Sequence, residues 1–233
     1  LQQVPKPLSR ALAAEVQALY RTEGLADPAD YLTLADKLPE EAEAVRLFVR
    51  TMRVDKLVGG RAALARELIK RFDGTSDSLE SLAGLGAGDW GRIVDAAAAD
   101  GLAIEGSGRD SLVYALQLGI EQQHPAASLA ARLEDKAVQP LDPALQGLAN
   151  VLEQHRAGAN ALLLGKYLDS AEVKAIDDPQ VASALAHFGR MGKLGLPFSA
   201  TGHLFNLGVQ SAGQLLQLGP DQLRNMLFDQ NPP

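Results

Sequence analysis

Three Asp-Pro pairs punctuate this sequence, at Asp27-Pro28, Asp142-Pro143 and Asp178-Pro179. Asp accepts orphan N–H bonds at a helix N-cap, and Pro at the first helical position gives up a donor that would have no partner there. Each pair therefore predicts a helix start. Apolar residues at helical spacing follow each one: Tyr31, Leu34 and Leu38; Leu145, Leu148 and Leu152; Val181, Leu185 and Phe188. Pro39 with Glu40, Glu41 and Glu43 opens a further helix, its carboxylates at the positive end of the dipole, and this helix runs through Leu47, Phe48 and Met52 to Gly59-Gly60. A first helix carries Leu8, Leu12, Val16, Leu19 and Tyr20 and stops at Gly24. Further segments are predicted over 61–72, 78–84, 89–100, 110–123, 126–136, 159–168, 198–207, 211–218 and 221–228. The spacers between them are short and rich in Gly, Asp, Ser and Pro, so neighbouring helices must pack.

Composition points the same way. Leu and Ala supply 76 of the 233 residues, against 23 for Val, Ile and Thr together, and no strand alternation of useful length appears. The predicted fold is all-α, an array of many short helices with helix-hairpin-helix-like elements and no sheet. A shift in composition at Gly74-Thr75-Ser76-Asp77 divides it into an N-terminal helical subdomain (1–75) and a helical domain (76–233). The net charge of −7 and the pI of about 5.1 disfavour sequence-blind nucleic-acid binding. The absence of cysteine excludes disulfides, thiolate metal sites and a cysteine nucleophile. Residues 194–220 carry no formal charge, but their glycines, Pro197, Pro220, His203 and Asn206 argue against a membrane span. Residues 1–7 lack the apolar core of a secretory signal, and the missing initial Met predicts a processed chain or a piece of a longer one.

The segment Leu82-Ala83-Gly84-Leu85-Gly86-Ala87-Gly88-Asp89-Trp90-Gly91-Arg92-Ile93-Val94 has the form of a helix-hairpin-helix element. In nucleic-acid-binding versions the glycine turn offers backbone N–H groups to a phosphate. Here Glu80 and Asp89 would compete with a phosphate, and Arg92 is the only close cation in sequence. A structural reading fits better: Gly84 and Gly86 make the turn, Asp89 caps, and Trp90 packs inward with Ile93, Val94 and Ala97. No Lys-Ser/Thr pair follows these glycines, so they are not a P-loop.

His124, His155, His187 and His203 share no i, i+3 or i, i+4 spacing. Of these, His124 reads as a helix-end residue and His187 as part of an amphipathic face. Gly106-Ser107-Gly108 does not fit a nucleophile elbow, and Asp177-Asp178 and Glu40-Glu41 are explained by capping. With no catalytic set, cofactor fingerprint or metal face, an enzyme is not expected and no cofactor is assigned.

Sliding the chain by 133 positions suggests an internal repeat: 78–94 on 211–227, with Ser78 on Ser211, Leu82 on Leu215, Leu85 on Leu218 and Gly86 on Gly219. Trp90, Ile93 and Val94 then fall on Leu223, Met226 and Leu227.

An ordered series of pieces resembles the helical region of Tc toxin A subunits, large proteins often labelled neuraminidase-like. Ser81-Leu82-Ala83-Gly84-Leu85 followed by Asp89-Trp90 is similar to the family's leucine-rich turn and Asp-Trp segment. Ser111-Leu112-Val113-Tyr114-Ala115 comes next, then the Pro-led helix Pro125-Ala126-Ala127-Ser128-Leu129-Ala130-Ala131-Arg132-Leu133. Leu204-Phe205-Asn206-Leu207-Gly208-Val209-Gln210-Ser211-Ala212 resembles the closing hairpin. The chain departs from the pattern at His124, where the family favours an aromatic, and at Ala159-Asn160-Ala161-Leu162, where it favours Phe-Asp-Leu.

The resemblance covers 76–230 and implies a scaffold role without catalytic residues. Such segments form part of a shell around a translocation channel, in a homopentamer that docks a B–C component. The partners implied are other segments or protomers of a large toxin subunit and that B–C component. The location implied is secreted or extracellular, within a larger bacterial protein. The alternative is a helix-hairpin-helix adaptor for nucleic acid or a protein partner.

Overall fold

The computed structural model describes residues 8–23, 27–71, 78–104, 108–134, 148–165, 171–209 and 211–228. Among them are thirteen α-helices and no strand. The chain divides into two compact units, one of Leu1–Ser81 with Gly91–Arg109, the other of Leu82–Trp90 with Asp110–Pro233. This division differs from one at 75/76, and the compositional seam itself lies outside the described residues.

In the first unit, α1 (Arg10–Glu23) begins where the Ser9 hydroxyl accepts the Leu12 N–H at 3.1 Å. Asp27 accepts the Ala29 N–H at 2.9 Å, as its Asp-Pro pair predicts, but the element it opens is a 3₁₀ turn (Asp30–Leu32) leading into α2 (Thr33–Lys37). Pro39–Glu41 is likewise a 3₁₀ turn at the entry to α3 (Ala42–Val58), and α4 (Ala62–Ile69) follows. Leu12, Tyr31, Leu34, Val45 and Val49 form the core, with Phe48 edge-on to Tyr31 at 5.6 Å. The guanidinium of Arg109 meets Asp95 in two parallel bonds of 2.7 and 2.8 Å and holds the Asp95 carboxyl below its usual range.

Helix α5 (Ala87–Ala99) carries the boundary between the units along its length. Trp90, Ile93, Val94 and Ala97 are all buried on one side of it, while Arg92, Asp95 and Ala96 are exposed. That is the face expected from their i, i+3, i+4, i+7 spacing.

The second unit holds α6 (Gly108–Gln123, from Asp110 onward), α7 (Pro125–Glu134), α8 (Leu148–Gln154), α9 (Arg156–Leu163), α10 (Ala171–Lys174), α11 (Pro179–Gly192), α12 (Phe198–Asn206) and α13 (Ala212–Phe228). Asp178 caps α11 as its Asp-Pro pair predicts, accepting from Gln180 at 2.8 Å and Val181 at 3.3 Å. The third pair, Asp142-Pro143, lies outside the described residues, although Leu148 and Leu152 downstream of it are buried on α8. Phe188 centres the core, stacked on Phe205 and edge-on to Phe198.

Helices α9 and α11 approach backbone to backbone. A Cβ at Gly189 would stand 2.5 Å from the Leu163 carbonyl oxygen and 2.7 Å from that of Leu162, so only glycine fits. Gly192, one turn later on the same helix, faces open space.

Two sequence expectations are corrected. The helix expected over 78–84 is a three-residue 3₁₀ turn (Glu80–Leu82), because the Ser78 hydroxyl takes the Glu80 N–H two residues on and a turn at Gly84 follows at once. The helices expected over 211–218 and 221–228 are both present, as the two halves of α13 on either side of a break at Gly219. The repeat does not hold in the backbone: Gly219 (φ +69°, ψ 165°) stands between two helical halves, whereas Gly86 lacks a positive φ and links a single 3₁₀ turn to α5. A proline follows Gly219 and none follows Gly86, and a residue before proline is disfavoured in the α region; the positive φ is open to Gly219 because it has no Cβ. The side chains of Leu223, Met226 and Leu227 lie outside the described residues.

Two stability outcomes follow from this packing. Trp90→Ala should lower unfolding stability by about 3–5 kcal/mol in urea titration, and the emission of this single tryptophan should be that of an enclosed indole. Gly189→Ala should cost about 1–3 kcal/mol through the clash with the α9 carbonyls. Gly192→Ala, measured beside it, should be neutral or slightly stabilising.

Candidate functional site

The glycine turn before α5 is closed from both sides. The Asp89 carboxylate accepts the Gly86 N–H at 3.1 Å, and the Trp90 N–H returns to the Gly86 carbonyl at 3.0 Å. A phosphate approaching the turn would meet that carboxylate on the amide it needs. On the carbonyl side, Arg132 of α7 reaches in and donates Nη2 to the Gly84 oxygen at 2.9 Å and, more weakly, to the Ala83 oxygen at 3.5 Å. Arg132 is buried, so these bonds compensate a charge removed from water. The turn residues Gly84, Gly86, Asp89 and Trp90 thus come together as a structural unit, pinned by an arginine whose role its place in the sequence did not disclose.

The closing hairpin holds Gly208, Ser211 and Gly219. At the end of α12 the Val209 N–H bonds the Leu204 carbonyl and the Gly208 N–H bonds that of Phe205, both at 2.9 Å, with Gly208 at φ +78°. This is the Schellman arrangement, and its customary apolar contact is supplied by buried Leu204 and Val209. Ser211 then caps α13, its hydroxyl accepting the Gln214 N–H at 3.2 Å. Nothing in the described residues brings this hairpin and the glycine turn into one site.

A second polar group escaped the sequence reading. On α6, Tyr114, Gln117 and Glu121 stand at i, i+3 and i+7, and all three point to the same strip of the unit. Gln117 Nε2 donates to Glu121 Oε1 at 3.0 Å, and the Phe198 N–H donates to Oε2 at 2.9 Å. Tyr114 donates its hydroxyl to the Gly195 carbonyl. Only 4% of Glu121 is exposed. Burial pushes its carboxyl above the usual range, against the opposing pull of Gln117, the Phe198 amide and the Arg132 charge. The sequence signal available was the intrusion of Gln117 and Glu121 among the buried Val113, Leu116 and Ile120 on one helix. Beside Glu121 lies a cavity of about 300 Å³, lined largely by apolar side chains such as Leu118, Leu163, Leu196 and Phe198.

The histidines do not converge. His124 sits at the junction of α6 and α7, and buried His187 packs edge-on against Phe205 at 5.2 Å. Among the described residues no three His, Asp or Glu side chains are grouped to hold a metal ion, and no helix is long and apolar enough to cross a membrane. No protein family, curated protein or solved structure matches the chain.

Replacing Arg132 with leucine should strand the Gly84 carbonyl and cost about 1.5–3 kcal/mol, the range for a hydrogen bond to a charged group. Urea unfolding measures this, and Arg132→Lys should recover only part of it, because a point charge replaces a planar fork.

Proposed function

We propose that the chain is a non-enzymatic helical scaffold and interaction module of a Tc-toxin-A-like protein, contributing to the shell of a toxin translocation complex outside the cell. Its partners are then neighbouring segments or protomers of the same large subunit, with the B–C component as a further one. The observation that carries the reading is the bond from Arg132 to the Gly84 carbonyl. It joins two of the pieces on which the resemblance rests, the leucine-rich turn and the Pro-led helix, although 48 residues separate the bonded pair. A third piece, the closing hairpin, is a self-contained chain reversal built on Gly208 and Ser211. At the departure Asn160, the side chain still supplies an acceptor, taking the Ala126 N–H at 2.9 Å.

These roles are those of a scaffold. Arg132, Glu121 and Asn160 each tie one element to another, and Asp89 on the Gly86 amide counts against the adaptor alternative.

Two measurements test the proposal. Titration of the chain into labelled duplex DNA at low salt, read from the anisotropy of the label, should give no binding, and micromolar binding that weakens steeply with salt would favour the adaptor instead. Extension of the reading frame beyond both ends should reveal a polypeptide many times longer, with a channel-forming segment. A short frame would overturn the toxin assignment.

A further inference from the structure

The cavity beside Glu121 joins a broad apolar wall to one buried acidic residue. The wall is built from Leu118 on α6, Leu163 and Leu164 at the end of α9, and Leu196 and Phe198 at the entry to α12. It opens to solvent where exposed Gln122, Leu164 and Lys193 line it. At about 300 Å³ it matches the smallest ligand pockets, which range from roughly 300 to 1,000 Å³. That volume admits one ring or a short chain.

Gly192, in the last turn of α11, leaves part of this wall without a side chain. Its φ is not positive, and no atom lies within 4 Å of where a Cβ would stand. Neither backbone strain nor close packing therefore calls for glycine there, in contrast to Gly189, which the α9 carbonyls hold to glycine. Glycine weakens a helix relative to alanine, and what it yields at this position is room in the cavity.

Glu121 supplies the charge. Among the described residues each of its oxygens accepts one hydrogen bond, from Gln117 and from the Phe198 amide, and a carboxylate oxygen has two lone pairs. The neighbouring cations are engaged elsewhere. Arg132 donates to the Ala83 and Gly84 carbonyls, and a Cβ at Gly165 would stand 2.5 Å from Lys193 Nζ, which places that ammonium just past the carboxyl end of α9. Despite both cations, burial still disfavours the ionised carboxyl, so a further positive charge beside it has a deficit to relieve.

We propose that this cavity is a binding site for a small organic ammonium ion, with its apolar group against the leucines and its N–H donors on Glu121. The site discriminates by charge and by shape together. A carboxylate of the same size meets Glu121 as a like charge, and a neutral isostere keeps the apolar contact without the charge-assisted bond.

Calorimetric titration of the intact chain near neutral pH, with 2-phenylethylamine, 2-phenylethanol and 3-phenylpropionate as probes, tests this. The amine should bind with a dissociation constant of about 1 mM or below, and the other two at least about tenfold more weakly. In nitrogen-correlated spectra the amine should shift the amides of Leu163, Gly192 and Phe198. Glu121→Gln should bring the amine down to the level of the alcohol. Gly192→Leu should abolish binding of the amine by filling the cavity, and it leaves Glu121 in place should Glu121→Gln fail to fold. Absence of amine binding at about 10 mM, ten times the expected constant, would overturn the proposal. So would a preference for the carboxylate, shifts confined to other residues, or amine binding that survives Gly192→Leu.

Discussion

A helix of eight or ten residues leaves about half its backbone polar groups without an intrahelical partner, because four N–H groups at one end and four carbonyls at the other are orphaned whatever its length. A chain built from many short helices multiplies that deficit, and the second unit meets it by capping helices from elsewhere in the fold. Asn160 of α9 accepts from the first turn of α7, and Glu121 of α6 accepts from the first turn of α12. Arg132 of α7 donates to the Ala83 and Gly84 carbonyls in the turn that leads into α5. Each bond joins a terminus to a different helix, so packing and backbone satisfaction become one problem. The apolar core around Phe188 sits among the elements these ties connect.

Local chemistry was legible in the sequence because its partners are neighbours in the chain. Asp178 caps α11 two and three residues on, and the face of α5 lies in the spacing from Trp90 to Ala97. The distant caps were not legible. Glu121 and Arg132 are residue types that pattern reading assigns to solvent, and each is buried against a partner that arrives from far along the chain. Gly189 was equally silent. Inside a helical pattern it reads as a weak point, and the structure uses its missing Cβ to admit the carbonyls of α9.

The difference between Gly86 and Gly219 carries a similar lesson. Two segments matched in residue order separate in backbone because one glycine precedes a proline and the other has its amide held by an aspartate. Similar apolar spacing is compatible with a 3₁₀ turn in one place and a kinked helix in the other.

The Schellman reversal at Gly208 has a kinetic meaning. Its bonds span only a few residues, so little loop entropy stands against forming them, and local elements of this kind assemble on the microsecond scale. The bond from Phe198 to Glu121 spans 77 residues and has to wait until the intervening helices have collapsed. The end of α12 is therefore shaped early and by itself, while its beginning is completed late and by another helix. Ordered in time this way, α12 acquires its direction before it acquires its place.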